Sequence, residues 1–188
     1  TDYRPSRPEH FVGRSQAQRS LLSFFTKVKR QHTDTRIFAI KGDSGIGKSS
    51  LVTKMRDVAI CSKKPNKLFL YAVDVRAANN ASYIYSSLIE ALTKARQKGF
   101  GSKGKLEISN CMDPLQSESI SNFLAECRRK HELIILVFDQ FEELYSKPDL
   151  FTVFEEARKL MFSTISASTN LILGFAWKTD STVPQDHP

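Results

Sequence analysis

Apolar residues along this chain fall into two alternating rhythms, and the alternation predicts an architecture. Four short segments are almost continuously apolar, β-branched or aromatic: Arg36–Ile40 (RIFAI), Lys67–Arg76 (KLFLYAVDVR), Leu133–Phe138 (LIILVF) and Asn170–Trp177 (NLILGFAW). Uninterrupted runs of this length suit strands covered on both faces. Between them the apolar positions recur every three or four residues, which lines up one face of a helix. Leu21, Leu22, Phe25 and Val28 form one such face, opened by a capping box at Ser15 and Gln18. Leu51, Val52, Met55, Val58 and Ala59 form a second, and Ile84, Leu88, Ala91, Leu92 and Ala95 a third, within a helix from Ser82 to Gln97. Asp113, Pro114 and Gln116 read as a helix start before Ile120, Phe123, Leu124 and Cys127, with Arg128, Arg129 and Lys130 in its last turn. Ser146 and Asp149 cap a final helix carrying Phe151, Phe154, Leu160, Met161 and Ile165. Strands alternating with helices predict a mainly parallel sheet covered on both faces, a three-layer α/β/α domain.

The first strand runs into Gly42-Asp43-Ser44-Gly45-Ile46-Gly47-Lys48-Ser49, followed by Ser50. This is the G-x-x-x-x-G-K-S pattern of a phosphate-binding loop. Its glycines let successive N–H groups turn inward, the lysine reaches the β- and γ-phosphates, and the Ser49 hydroxyl suits Mg²⁺. Strand, loop and helix in this order aim a helix N-terminus at the phosphates. A second glycine- and lysine-rich stretch, Gly99–Lys105 (GFGSKGK), imitates the pattern. It follows a helix instead of a strand, and Leu106 stands where a hydroxyl is needed, so it reads as a mobile, solvated loop.

The third apolar run ends in an acid, Asp139, followed by Gln140-Phe141-Glu142-Glu143. An aspartate leaving the carboxyl end of the strand beside the phosphate loop can hold Mg²⁺. A carboxylate three or four residues on can orient a water or accept its proton, with Glu142 the first choice and Glu143 the reserve. Trp177 reads as a packing residue.

Composition narrows the field. With 188 residues, 40% hydrophobic and 26% charged, the chain fits one soluble globular domain. No apolar run approaches the roughly 18 residues of a membrane span, and the basic N-terminus lacks a signal-type apolar core. Cys61, Cys111 and Cys127 show no C-x-x-C spacing, so free thiols in a reducing, cytoplasmic compartment are expected, and four scattered histidines argue against zinc. The net charge of +8 is uneven: residues 1–66 hold 14 Lys/Arg against 5 Asp/Glu, and residues 67–188 hold 14 against 15. A basic section can serve nucleic acid, but Arg14, Lys41 and Lys48 are equally explained by a nucleotide, and nucleic acid is not the favoured partner.

Phe11-Val12-Gly13-Arg14, the Gly42–Ser49 loop and Asp139-Gln140-Phe141-Glu142-Glu143-Leu144, in that order, resemble the STAND class of P-loop NTPases, signal-transduction ATPases related to the AAA+ proteins. The D-Q-F-E-E-L form is similar to a bacterial branch of that class. The resemblance implies an AAA+/STAND-like P-loop fold, ATP/ADP and Mg²⁺ as ligands, and ATP hydrolysis driving a signalling switch. Residues 1–14 would then be a leading segment in which Phe11, Val12, Gly13 and Arg14 lie near adenine and ribose, and 15–188 the core. Lys178 and Asp180 fall where the family often has Arg-x-Asp, which makes Lys178 a sensor of the γ-phosphate. The family's fifth strand and helical lid have no counterpart before Pro188. A fragment that turns over slowly or not at all is therefore expected, with self-association or partner binding through regions outside it. Two other readings use the same motifs: an AAA+-type DNA-associated ATPase of the origin-binding or transposition-helper kind, and a module that holds nucleotide without hydrolysing it.

Overall fold

A computed structural model describes residues 15–42, 47–61, 67–80, 82–146 and 150–178. The elements follow the expected alternation: α1 (Ser15–Lys29), β1 (Ile37–Gly42), α2 (Lys48–Cys61), β2 (Leu68–Asp74), α3 (Tyr83–Gln97), α4 (Glu118–Arg129), β3 (Leu133–Asp139), α5 (Glu143–Ser146), α6 (Phe151–Ala167) and β4 (Leu171–Lys178). Short 3₁₀ turns at Val75–Ala77 and Pro114–Gln116 follow β2 and precede α4. The four strands form one sheet, all parallel, in the order β1-β4-β3-β2.

Period-two alternation divides the core into two halves across this sheet. Leu133, Ile135 and Val137 of β3 join Phe25 and Val28 of α1 and Leu51, Val52 and Met55 of α2 on one face. Ile134, Leu136 and Phe138 join the buried faces of α3, α4 and α6 on the other. A central parallel strand has no solvent face to maintain, which explains its unbroken apolar run. Arg36, buried at the start of β1, donates to the carbonyls of Thr33, Thr35, Ser168 and Thr169 and so ties β1 to the turn before β4.

Close packing between β1 and β4 depends on Gly174. A Cβ built there falls 2.3 Å from Cζ of Phe38, opposite which Gly174 lies in register. The Phe38 ring packs against Phe24 and Phe25, with centroids 6.1 and 5.6 Å away, so yielding to a new methyl disturbs those contacts. Gly174→Ala is therefore expected to cost about 1–3 kcal/mol of stability by overpacking. Urea denaturation measures this, and Phe38→Leu should recover part of the loss; an unchanged midpoint refutes the packing argument.

Three expectations need correction. The helix expected from Asp113 starts later: Asp113 precedes a 3₁₀ turn, its carboxylate accepts from the Ser163 hydroxyl instead of capping, and Ser117 stands at the N-cap of α4. The Gly99–Lys105 stretch forms no regular element but is not solvated throughout. Gly101 donates to Glu132 and accepts from Lys130, Phe100 packs 5.7 Å from Phe69, and Leu106 is buried. Finally, Ser146 closes α5 and Leu150 stands at the N-cap of α6, so Ser146 does not cap that helix, and Asp149 lies outside the described residues. Helix α6 turns Val153, Ala157 and Leu160 inward and leaves Phe151 at 64% and Ile165 at 50% exposure.

Candidate functional site

The carboxyl ends of all four strands meet at one rim of the sheet, and β1 delivers the chain into α2 there. Gly47 has φ +82°, a left-handed conformation that side chains disfavour, and its carbonyl accepts from Leu51 N–H as α2 begins. The first turn of α2, from Lys48 to Ser50, turns its N–H groups toward this rim, giving this end of the helix a partial positive charge. Lys48 is buried, and its Nζ donates to the carbonyl of Gly42, 2.5 Å away. Ser49, half-buried, accepts on its own carbonyl from Thr53 Oγ1 at 2.9 Å. Asp43, Ser44, Gly45 and Ile46, like Phe11, Val12, Gly13, Arg14 and Asp180, lie outside the described residues.

Asp139 closes β3 with its side chain on the α1–α2 face, the same alternation that places Val137 there. The strand order corrects one premise: β4 lies between β1 and β3, so Asp139 is one strand removed from the phosphate loop instead of beside it. The chain then makes a sharp turn. Asp139 Oδ1 accepts from Gln140 N–H at 2.9 Å, Gln140 adopts φ +58°, and Phe141 N–H reaches across to the carbonyl of Ala176 in β4 at 3.0 Å. The Phe141 ring packs edge-on to Phe175 at 4.7 Å, and Phe175 stacks on Phe138 at 5.6 Å. One hydrogen bond and these rings fasten the D-Q-F-E-E turn to β4.

That fastening brings Glu142 to Lys178. Glu142 Oε1 lies 3.9 Å from Lys178 Nζ, and the Glu142 side chain is only 7% exposed. Neither carboxylate oxygen has a hydrogen-bond partner. Lys178 in turn pairs in register with Gly42, the first residue of the phosphate loop. Glu142 thus joins the loop through Lys178, whereas Glu143 is half-buried at the start of α5, a helix that packs against the turn after β2. Trp177 does pack, as expected: its ring takes the Lys41 ammonium at 5.0 Å and borders a cavity of about 680 Å³ with Phe141, Glu142, Phe154 and Phe175.

A further pair escaped sequence reading. Asp74 ends β2 directly opposite Asp139 and is bridged by Arg76. Burial would raise the Asp74 carboxyl, but hydrogen bonds from the Arg76 side chain and backbone outweigh it and hold the group below its usual range. The signal was available: an apolar strand ending in an acid, the same pattern that singled out Asp139.

Three comparisons bear on this geometry. A sequence model of the family described as novel STAND NTPase 1 matches residues 1–176. No curated protein matches the chain. Among solved structures, the chain resembles one in the HORMA:CdnC:Trip13 complex of E. coli MS115-1, with TM-score 0.53 and 11% identity over 90% of this chain and 58% of that one. It also resembles ORC2 of Aeropyrum pernix in its ADP form, with TM-score 0.52 and 16% identity over 94% of this chain and 43% of that one. At these identities the likeness is one of fold, the expected P-loop α/β type, and the chain spans about half the length of the structures it matches.

Proposed function

We propose that this chain, which belongs to the novel STAND NTPase 1 family, binds ATP with Mg²⁺ and hydrolyses it as the core of a signalling switch. The observation that carries the reading is Glu142: a buried carboxylate with no hydrogen-bond partner, 3.9 Å from a lysine registered against the phosphate loop. An orphaned buried carboxylate is costly to keep in a fold, and a reacting water supplies the donor that it lacks.

In this reading the Gly42–Ser50 segment cradles the phosphates, and Lys48 leaves the Gly42 carbonyl for the β- and γ-phosphate oxygens. Residues 1–14 would read the base and 15–188 form the core. No three His, Cys, Asp or Glu side chains cluster among the described residues to hold a metal by themselves. That fits Mg²⁺, which takes one or two protein oxygens and completes its shell with phosphate and water. Ser49 and Asp139 supply hard oxygen donors of the right kind. When bound, the ion neutralises charge developing on the phosphates. Glu142 orients the attacking water and accepts its proton, with Glu143 the alternative, and Lys178 meets the γ-phosphate as a point charge without the fork that arginine offers.

A switch further requires ATP and ADP to bind its two states with different affinities. The states would differ in self-association or partner binding. A cytoplasmic location accords with the free thiols of Cys111 and Cys127, and no described helix is long and apolar enough to cross a membrane. Phosphate release from ATP–Mg²⁺ tests the proposal. Slow turnover is expected, on the order of 10⁻³ s⁻¹ as for P-loop NTPases without an activator. Bound ATP with no release above buffer would leave a holding module in place of an enzyme.

A further inference from the structure

Beta strands β2 and β3 run parallel and in register from Leu68 opposite Leu133 to Asp74 opposite Asp139. Their last residues therefore present two carboxylates on the same face of neighbouring strands, about 4.8 Å apart at the backbone. Like charges so placed repel each other, and Arg76 supplies the compensation. Its Nε donates to both oxygens of Asp74 at 3.0 Å, its Nη2 donates to Oδ2 at 2.5 Å, and its backbone N–H donates to Oδ1 at 3.0 Å. The last bond caps the 3₁₀ turn Val75–Ala77, and α5, which begins at Glu143, packs against that turn. The Asp74 bond holds the guanidinium proton more tightly, and the charges of Glu143 and Asp139 act on it in the same direction more weakly.

As an exposed pair, Asp74 and Arg76 contribute little to stability. Their importance lies in where the positive charge rests. We propose that Asp74 is a tether that holds Arg76 away from the carboxylate of Asp139 and so keeps Asp139 available to Mg²⁺. The proposal rests on the reading of Asp139 as a metal-binding residue. Released from Asp74, the guanidinium has Asp139 and Glu143 as its next carboxylates. A fork seated on Asp139 covers the oxygens that a cation needs and repels that cation as well. Asp74 and Arg76 are positioning residues here, since neither touches nucleotide.

The test is a Mg²⁺ titration of fluorescent ATP-analogue binding by the whole chain, in wild type, Asp74→Asn, Arg76→Ala and the double variant. Asparagine keeps an oxygen for the Arg76 N–H, so the turn is retained while the tethering charge is lost; matched melting temperatures check this. Asp74→Asn is expected to raise the Mg²⁺ midpoint by about fivefold, the scale of moving one charge near a surface site. The double variant should fall back to the Arg76→Ala value, at or below wild type. An unshifted Asp74→Asn midpoint, or a double variant that keeps the shift, overturns the tether while leaving nucleotide binding in place. Arg76→Ala, which keeps the capping carboxylate, decides independently: a raised midpoint there overturns it too. Wild-type binding that ignores Mg²⁺ overturns the role of Asp139, and the tether falls with it.

Discussion

Glu142→Gln is expected to lower ATP turnover by about 10²- to 10⁴-fold, the usual weight of a positioned general base. Glutamine has nearly the same shape, so the D-Q-F-E-E turn should keep its anchor of Phe141 N–H on Ala176 and its ring contacts with Phe175. What disappears is the negative oxygen that, in the proposed mechanism, orients water and takes its proton. The same change should stabilise the fold. The Glu142 side chain is 7% exposed, its oxygens have no hydrogen-bond partner, and its ion pair with Lys178 is long at 3.9 Å. Such a charge is costly to bury, and an uncharged amide lowers that cost by about 1 kcal/mol, worth roughly 2–4 °C in a domain of this size. Phosphate release and a melting curve on one preparation test both halves. Turnover equal to wild type removes Glu142 from the mechanism, and a lowered melting temperature shows that its carboxylate was well satisfied after all.

Lys48→Ala should cost at least about 30-fold in affinity for ATP, because losing one member of a desolvated charge pair is typically worth 2–5 kcal/mol. In sequence Lys48 stands only for its reach to the β- and γ-phosphates. The structure buries Lys48 and places its ammonium on the Gly42 carbonyl. The ammonium therefore closes the loop upon itself, and removing it should also cost about 1 kcal/mol of stability, the net worth of one hydrogen bond. Isothermal titration with ATP–Mg²⁺ and with ADP decides the case, and wild-type affinities for both would sink the assignment of this loop.

Sequence reading did best where a single local rule governs the outcome. The unbroken run Leu133–Phe138 announced a central strand, and Ile84, Leu88, Ala91, Leu92 and Ala95 announced the buried face of α3; all of these residues are buried. Order within the sheet was beyond its reach, because alternation shows that strands are parallel without showing which are neighbours. Hence β4 between β1 and β3 was unforeseen. In α6 apolar residues cover somewhat more than half of the helix surface, wider than the stripe that is buried, so periodicity had no unique answer: small Ala157 and neighbouring Val153 and Leu160 pack, while Phe151 and Ile165 stay outside. Asp113 looked like a cap because Asp-Pro usually is one; a distant hydroxyl, Ser163, outbid the local backbone. At the site, Glu142 was chosen on spacing alone, whereas its burial and its approach to Lys178 depend on the crossing from β3 to β4, a tertiary fact.

That crossing bears on how such a protein can change over generations. The turn that carries Glu142 is held to β4 by the Phe141 N–H on Ala176 and by the rings of Phe141 and Phe175, and Glu142 itself approaches Lys178. Its position is inherited from interior packing as much as from the motif that contains it. A lineage that keeps every polar residue of the motif but exchanges one of these rings for a smaller side chain would loosen this anchor and aim Glu142 elsewhere. Under the proposed mechanism, activity lost by that route would leave an intact signature behind, and the interior pair would have to be read along with the motif to tell a working copy from a silent one.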